Sequence, residues 1–395
     1  MVMHMRHGRD LGGGAPAGKV QDDGAFGPLS RAGAPSYGWA MLQPSPAFMM
    51  TTRPRAVARW LFAVAGLIVA MVVVGGITRL TNSGLSITEW KPITGIIPPL
   101  TEAQWQAEFA NYKRIPEYWT FNRDMTLAGF KAIFFWEYLH RVLGRVIGLA
   151  FALPLIWFWA RKAIPAGYKP RLLALLALGG LQGAIGWWMV ASGLVERTDV
   201  SHIRLAVHLL TALFILAGIV WTALDLMALY RNRLAAPARL TRLGAGAIVA
   251  LFVQLLFGAL TAGLDAGYAF SSWPLMGDAW FPAGTPMMTP AIANVFDNPV
   301  VVQFIHRWFA FVAAGLLVWA AARAIGHGAL RAGWLVILLV VVQIGLGIAT
   351  LLSGVQIDIA VAHQANAALL LIAATAAAHR LGQGHGRIAN SFMVS

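Results

Sequence analysis

The feature that most constrains this chain is a series of eight long apolar segments. Each has about 20 residues, the length that an α-helix needs to cross the hydrocarbon core of a bilayer. Of the 395 residues, 58% are hydrophobic and only 12% are charged, which excludes an ordinary soluble globular protein. The pattern predicts an all-α polytopic membrane protein with eight transmembrane helices, near residues 57–78, 132–160, 172–192, 202–230, 242–264, 302–324, 332–353 and 359–380.

The distribution of basic residues predicts the orientation of these helices. The formal net charge of +14 comes from short clusters of Lys and Arg between apolar segments, so a nucleic-acid partner explains it poorly. Clusters before the first helix and within 161–171, 231–242 and 323–331 are typical of cytoplasmic loops. Residues 265–302 contain no Lys or Arg. We therefore expect both termini in the cytoplasm, and the loops between helices 1 and 2 and between helices 5 and 6 on the outside.

Composition also divides the chain into parts. Residues 1–52 are rich in Gly, Pro and Ser and are predicted to be a disordered extension; translation from Met49 or Met50 instead of Met1 is left open. We expect one four-helix bundle over 53–235, a second over 236–384, and a flexible tail over 385–395. The absence of cysteine excludes disulfides, thiolate ligation of haem and iron–sulfur clusters, which leaves the ten histidines as the obvious soft ligands.

An internal duplication supports the two bundles. Gly75 to Thr78 matches Gly258 to Thr261 at an offset of 183 residues, and Glu137 to Arg141 matches Gln303 to Arg307. The segment ending in His208 likewise matches the segment ending in His363. Because each half has four helices, an even number, the halves are predicted to be tandem repeats with one common orientation.

Four histidines occupy equivalent positions in these repeats. They lie on helices 2, 4, 6 and 8, each predicted to be near the outer end of its helix: His140, His208, His306 and His363. Two imidazoles that face each other inside a four-helix bundle commonly hold a b-type haem, so one haem iron is predicted in each half. Zinc or a di-iron centre fits less well, because the second half has no carboxylate nearby. His202 is expected to be interfacial or hydrogen-bonding, and the five remaining histidines are expected to be solvated: His4, His7, His327, His379 and His385.

The two halves differ in one charged residue. Glu137 precedes His140 by three residues and projects from the same helix face, whereas the second half has Gln303. A carboxylate beside a haem edge can move protons or stabilise positive charge, so Glu137 is the predicted catalytic residue. The alternative is that Glu137 simply pairs with a neighbouring arginine.

Three arginines are candidates for binding haem propionates. Arg141 and Arg307 each follow a histidine directly, and their guanidinium groups either bind a propionate or extend to the membrane interface. Arg79 has no counterpart, because Ala262 stands at the equivalent position, and it is the better candidate for a role peculiar to the first site.

The long loop between helices 1 and 2 is predicted to contain a short helix. Thr101 and Gln104 resemble a capping box, and Trp105, Phe109 and Tyr112 follow at helical spacing. The helix lies either on the outer membrane surface, as a lid, or packed as an ordinary loop helix.

Several of these motifs together resemble the haem A synthase family over about residues 59–379. They are Gly75 to Thr81, Ser83 to Ile87, Glu89 to Ile93, Glu137 to Arg141, Gln303 to Arg307 and Ala362 to Gln364. The lack of cysteine resembles the proteobacterial and mitochondrial branch, which has no cysteine pair in an outer loop.

The resemblance implies an oxidoreductase that converts the C8 methyl group of haem O to a formyl group by successive hydroxylations, giving haem A for cytochrome c oxidase. It implies a resident haem b on His306 and His363, substrate haem on His140 and His208, and Glu137 as the essential glutamate. It further implies a multi-pass protein of the bacterial inner membrane with haem sites toward the periplasm. Its partners would be haem O, haem O synthase, membrane lipid and an unidentified electron donor, and a homo-oligomer stays open.

Two other functions compete with this one. A bis-His b-type cytochrome could relay electrons without making haem A. A transporter with parallel repeats would need polar groups at mid-membrane and broken helices, and the sequence indicates neither.

Overall fold

Eight helices long and apolar enough to cross a membrane are present in the described part of the chain. The structure is a computed structural model that describes residues 52–91 and 94–391, with side chains to residue 383. The spanning helices are α1 (Pro54–Leu80), α2 (Leu127–Ala160), α3 (Tyr168–Ala191), α4 (His202–Arg231), α5 (Arg242–Gly263), α6 (Pro299–Gly326), α7 (Leu330–Leu352) and α8 (Ile357–Ser391). The prediction of an all-α protein with eight such helices is confirmed.

Two predictions on the N-terminal region lie outside the described residues. These are the disordered extension, apart from Thr52, and the start at Met49 or Met50. The division into domains, the orientation of the termini and the tandem repeat remain predictions.

Helix starts are set by capping residues as much as by hydropathy. The side chain of Thr126 accepts a hydrogen bond from the backbone N–H of Gly129, so α2 begins at Leu127, five residues before its apolar run. Asn298 caps α6 in the same way, with Pro299 in the first turn. Because α2 begins early, His140 lies more than three turns into its helix instead of the predicted one or two.

Helix contacts follow the same order in the two halves. In the first half α1 contacts α2 and α4, and α3 contacts α2 and α4. In the second half α5 contacts α6 and α8, and α7 contacts α6 and α8. These matched contacts support the predicted repeat. They also place α2 beside α1 and α6 beside α5, which fixes the surroundings of His140 and His306.

The halves pack together through α1, α4, α5 and α8. One hydrophobic core cluster spans both halves and includes Leu61, Leu216 and Leu371, all fully buried. Gly76 lets α8 approach α1 closely, since a Cβ there would lie 3.0 Å from the side-chain oxygen of Gln364. The Gln364 amide donates to the carbonyl oxygen of Val72 at 2.8 Å.

A buried polar cluster joins the halves at the predicted cytoplasmic side. Asp225 on α4 accepts hydrogen bonds from Arg171 at 2.6 Å, from His379 on α8 at 2.8 Å and from the backbone N–H of Ala238 at 2.9 Å. His379 is only 1% exposed, so the prediction that it is solvated is wrong. The reason is that Asp225, on another helix, supplies the partner that a buried imidazole needs. His327 is exposed as predicted, and His4, His7 and the side chain of His385 lie outside the described residues.

The loop between α1 and α2 contains the helices Glu102–Tyr112 and Pro116–Phe121. The predicted capping box is confirmed: the backbone N–H of Gln104 donates to the Thr101 hydroxyl, and the backbone N–H of Thr101 donates to the side-chain oxygen of Gln104. Phe109 and Tyr112 are buried against Phe130 near the start of α2. The apolar face of Glu102–Tyr112 therefore packs on the protein, which supports the packed-helix alternative; a position at the membrane surface stays a prediction.

Candidate functional site

The four repeat-equivalent histidines each pack against a glycine, through Nε2 in His140 and through Cε1 in the other three. Each imidazole lies against a glycine of the preceding helix, so closely that a Cβ there would contact the ring. A Cβ would lie 3.2 Å from His140 at Gly75, 2.9 Å from His208 at Gly186, 3.0 Å from His306 at Gly258 and 3.0 Å from His363 at Gly347. These four glycines therefore position the four rings, two in each half.

Three of the four imidazoles are also hydrogen-bonded to a glutamine. The amide nitrogen of Gln182 lies 3.0 Å from Nδ1 of His208, and that of Gln254 lies 3.0 Å from Nδ1 of His306. The amide nitrogen of Gln343 lies 3.2 Å from Nδ1 of His363, and Asn366 holds Gln343 through a 2.7 Å bond to its oxygen. No role was predicted for these three glutamines from the sequence. Their common spacing, four residues before the glycine, was the signal.

The two histidine rings of the second half lie close together. The rings of His306 on α6 and His363 on α8 have centroids 6.5 Å apart and are nearly perpendicular, at 87°. Both histidines lie on helices that were predicted to bind haem together, α6 and α8. This is an arrangement of two neutral nitrogen donors that can approach one ligand from two sides.

Glu137 is buried and fully hydrogen-bonded in the first half. It is 3% exposed. One carboxylate oxygen accepts from the Ser86 hydroxyl at 2.7 Å and from the backbone N–H of Ile87 at 2.8 Å. The other accepts from Arg141 at 2.6 and 3.0 Å. The predicted alternative, pairing with an arginine, is therefore present, and it fixes the carboxylate one turn from His140.

The second half keeps the arginine but not the ion pair. Arg307 donates to the carbonyl oxygens of Phe270 at 2.7 Å and Ser272 at 2.9 Å, in the segment that follows α5. Arg141 similarly binds the carbonyl oxygens of Ile87 at 2.6 Å and Glu89 at 3.0 Å, after α1. Arg307 is 7% exposed, so it does not extend to the interface. Binding of propionates by either arginine stays a prediction.

Arg79 connects the first half to the second. It donates to Asp265 at 2.7 Å and to the carbonyl oxygen of Ala262, its own repeat counterpart, also at 2.7 Å. His202 makes a parallel connection, with Nε2 2.8 Å from Asp297. The hydrogen-bonding role predicted for His202 is confirmed, and the propionate role predicted for Arg79 stays a prediction.

A second carboxyl group near Glu137 was missed from the sequence. Glu117, in the short helix Pro116–Phe121, is 3% exposed, and its Oε2 has no hydrogen-bond partner in the described part of the chain. Burial first, and then the negative charges of Asp199 and Glu137, raise the pKa of Glu117 to about 8, against the opposing effect of Arg79. At neutral pH the carboxyl is therefore mostly protonated. Its position in a polar loop gave no sequence signal.

Among the described residues there is no cluster of three or more His, Cys, Asp or Glu side chains that could hold a metal ion. Zinc and di-iron centres need such a set. The donors that are present are imidazole pairs.

Comparison with known proteins gives the family. The COX15-CtaA model, described as cytochrome oxidase assembly protein, matches residues 58–375. The chain belongs to this family. Among its relatives, the Heme A synthase of Rhizorhabdus wittichii is 59% identical over 329 residues, which are 83% of this chain and 95% of that protein.

Two further relatives of the COX15-CtaA family carry the same name. The Heme A synthase of Sphingopyxis alaskensis is 57% identical over 331 residues, covering 84% of this chain and 93% of that protein. The Heme A synthase of Novosphingobium aromaticivorans is 52% identical over 336 residues, covering 83% and 95%. The match runs through all eight spanning helices, and the family resemblance noted from the motifs is confirmed.

Proposed function

We propose that this membrane protein is a haem A synthase, an oxidoreductase that converts the C8 methyl group of haem O to a formyl group by successive hydroxylations. Its product would supply cytochrome c oxidase. The observation that carries the proposal is that two matched pairs of glycine-packed histidines differ in one acid: Glu137 beside His140, Gln303 beside His306. The names of the relatives identify the reaction.

The second half would hold a resident haem b through His306 and His363. The residues present fit this group: two imidazoles from different helices have centroids 6.5 Å apart, and each packs on a glycine. An imidazole that binds iron through Nε2 keeps its proton on Nδ1 and needs an acceptor there.

Gln254 can supply that acceptor to His306. Oε1 of Gln254 is buried without a partner in the described structure. A half-turn of the amide, whose two ends are assigned by their contacts, brings Oε1 to Nδ1 of His306 in exchange for the bond to the His306 carbonyl. When bound, haem b supplies one-electron transfer.

The first half would take substrate haem through His140 and His208, with Glu137 as the proposed catalytic residue. Oxidising a methyl group to a formyl group removes protons, and a fixed carboxylate beside the reacting edge can accept them. Arg141 holds one oxygen of this carboxylate in place, and Ser86 and the backbone of Ile87 hold its second oxygen. Gln303 cannot ionise, which suits a site that passes electrons only.

Other features of the proposal follow from the family. The haem sites lie toward the periplasm in the bacterial inner membrane. Haem O synthase delivers the substrate, and a separate electron donor completes the cycle. Arg79, Arg141 and Arg307 remain the proposed propionate contacts.

A bis-His cytochrome that only relays electrons is the second candidate. One observation favours it: both carboxylate oxygens of Glu137 are already hydrogen-bonded, as in a structural ion pair.

Pigment extraction from cells that supply haem O separates the two functions. The wild-type protein is expected to yield haem A and haem b. Glu137→Gln should lower haem A by about 100-fold or more and leave haem b unchanged. The matched control is Gln303→Glu, which should keep haem A formation. Absence of haem A, with haem b bound and Glu137→Gln equal to wild type, would establish the electron relay.

A further inference from the structure

The four imidazoles differ in the residue that lies at Nδ1, the ring nitrogen that does not face the iron when Nε2 is the ligand. On α3, α5 and α7 a glutamine stands four residues before the glycine that packs against the histidine: Gln182 before Gly186, Gln254 before Gly258, and Gln343 before Gly347. On α1 the same position, four residues before Gly75, is Met71. The repeat is therefore broken at one of its four equivalent places.

Each glutamine is hydrogen-bonded to its histidine. Gln182 and Gln254 lie 3.0 Å from Nδ1 and also reach the carbonyl oxygen of the same histidine, at 2.9 and 3.0 Å. Gln343 is fixed by Asn366. An imidazole that binds iron through Nε2 carries its proton on Nδ1, and an acceptor there fixes the ring and its tautomer and makes Nε2 a stronger ligand. Oε1 of Gln182 and of Gln254 is buried without a partner in the described structure, so a half-turn of either amide supplies this acceptor in place of the bond to the histidine carbonyl. Gln343 keeps its amide nitrogen at the His363 ring, because its own oxygen accepts from Asn366.

His140 has no glutamine at the equivalent position. In the described structure it makes no side-chain hydrogen bond, and Met71 points its terminal methyl at Gly144, one turn beyond His140 on α2. A thioether donates no hydrogen bond and accepts only weakly. Gly75 limits the space on one side of the His140 ring, but no hydrogen bond from the described residues fixes the rotation of that ring.

We propose that His140 is the exchangeable iron ligand of the first half, and that Gln182, Gln254 and Gln343 are positioning residues that hold the other three imidazoles for firm ligation. The proposal rests on the proposed function, in which the first half takes up one haem and releases another. A site that turns over must break both iron–imidazole bonds in each cycle, whereas a resident cofactor keeps both. With Met71 in place of glutamine, the bond between His140 and the haem iron would be the weaker of the two that must break.

The test measures haem release from the purified full-length protein to apomyoglobin, with each haem identified by chromatography. Met71→Gln is expected to slow release of first-half haem by about 10- to 100-fold, the usual effect of a hydrogen bond to a ligand. Met71→Leu, which keeps the size and adds no hydrogen bond, should release haem as the wild type does. Equal rates in all three proteins would overturn the proposal.

The second half provides the reciprocal change. Gln254→Met should speed haem b release by a similar factor, while Gln254→Glu, which retains an acceptor at Nδ1, should keep haem b bound and lower its midpoint potential. A merely structural role would loosen both variants alike and leave the potential unchanged, which would contradict the proposal.

Failure of the proposed function is seen separately, as a lack of haem A in the wild-type extract. Haem b would then occupy both halves and leave in two phases. The inference still requires Met71→Gln to slow the faster phase, and an unchanged faster phase would overturn it.

Discussion

The segments that follow α1 and α5 each bind an arginine through backbone carbonyls, but only the first segment also binds a carboxylate. After α1, Arg141 binds two backbone carbonyls and the carboxylate of Glu137. After α5, Arg307 binds backbone carbonyls, and Gln303 donates to one of them, that of Phe270, at 3.0 Å. The arginine is thus a structural element of both halves. What separates the halves is the acid beside His140 and the missing glutamine at Met71.

The arginines give the largest expected contrast between the halves. Arg141→Gln leaves Glu137 buried without its ion-pair partner, a loss of about 3–5 kcal/mol. Arg307→Gln leaves only neutral carbonyls unpaired, and about 1–3 kcal/mol is expected. Thermal unfolding in detergent measures both. Glu137→Gln combined with Arg141→Gln should recover part of the loss, and equal losses for the two single variants would contradict the contrast.

The glycines should behave alike in the two halves. Gly347→Ala places a methyl group where His363 lies, at 3.0 Å, and is expected to weaken haem b binding by about 10- to 100-fold. Gly186→Ala should do the same for haem at His208. Gly345→Ala is the matched control, since a Cβ there meets nothing within 4 Å. Haem content after purification reports the effect, and a loss in the control equal to that in Gly347→Ala would remove the packing argument.

As far as the segments after α1 and α5 are described, only the first contains a buried carboxyl group, Glu117, so a contribution of this kind to the pH dependence is expected from the first half. The folded pKa of Glu117, about 8, lies above its ordinary value, so the folded protein binds the proton more tightly than the unfolded chain. Stability should therefore fall as pH rises from about 4.5 to 8 and then level off, by about 1.4 kcal/mol for each unit of the pKa difference at most.

Glu117→Gln should flatten this fall, and the exposed Glu102→Gln should not. Thermal unfolding at pH 5 and pH 8 measures the slope. An unchanged slope in Glu117→Gln would show that the carboxyl ionises freely in the fold.

The smallest effect is expected at the junction of the halves. Arg79 and Asp265 form a partly exposed ion pair, with side chains 19% and 52% accessible. Such pairs contribute about 1 kcal/mol or less. A double-mutant cycle with Arg79→Gln and Asp265→Asn should give a coupling in that range. A much larger loss of haem A on Arg79→Gln than on Asp265→Asn would instead favour the predicted propionate contact.

Most of the helical framework followed from the sequence, because apolar length and repeated motifs survive without tertiary information. The histidine pairs, the Glu137 and Gln303 difference and the hydrogen-bonding role of His202 were predicted in this way. The start of α2 was missed, since Thr126 caps a polar first turn that hydropathy does not detect.

Residues whose roles depend on a distant partner could not be predicted. His379 was predicted to be solvated, but it is buried, because Asp225 on another helix accepts its hydrogen bond. Glu117 sits in a loop that reads as polar, and its burial comes from packing. Arg79 reaches a residue 186 positions away. Gln254 was missed for another reason. A single neutral amide on an apolar helix does not indicate a function, and its contact with His306 is visible only in the structure.

The central claim is that the second half holds a resident haem b and the first half the substrate. The most direct measurement is the reduced-minus-oxidised spectrum of the purified protein, combined with pigment extraction, for His306→Ala and His140→Ala. The account predicts that His306→Ala loses the haem b signal and that His140→Ala keeps it while haem A formation stops. Loss of haem b in His140→Ala, with the signal retained in His306→Ala, would contradict the assignment of the two halves.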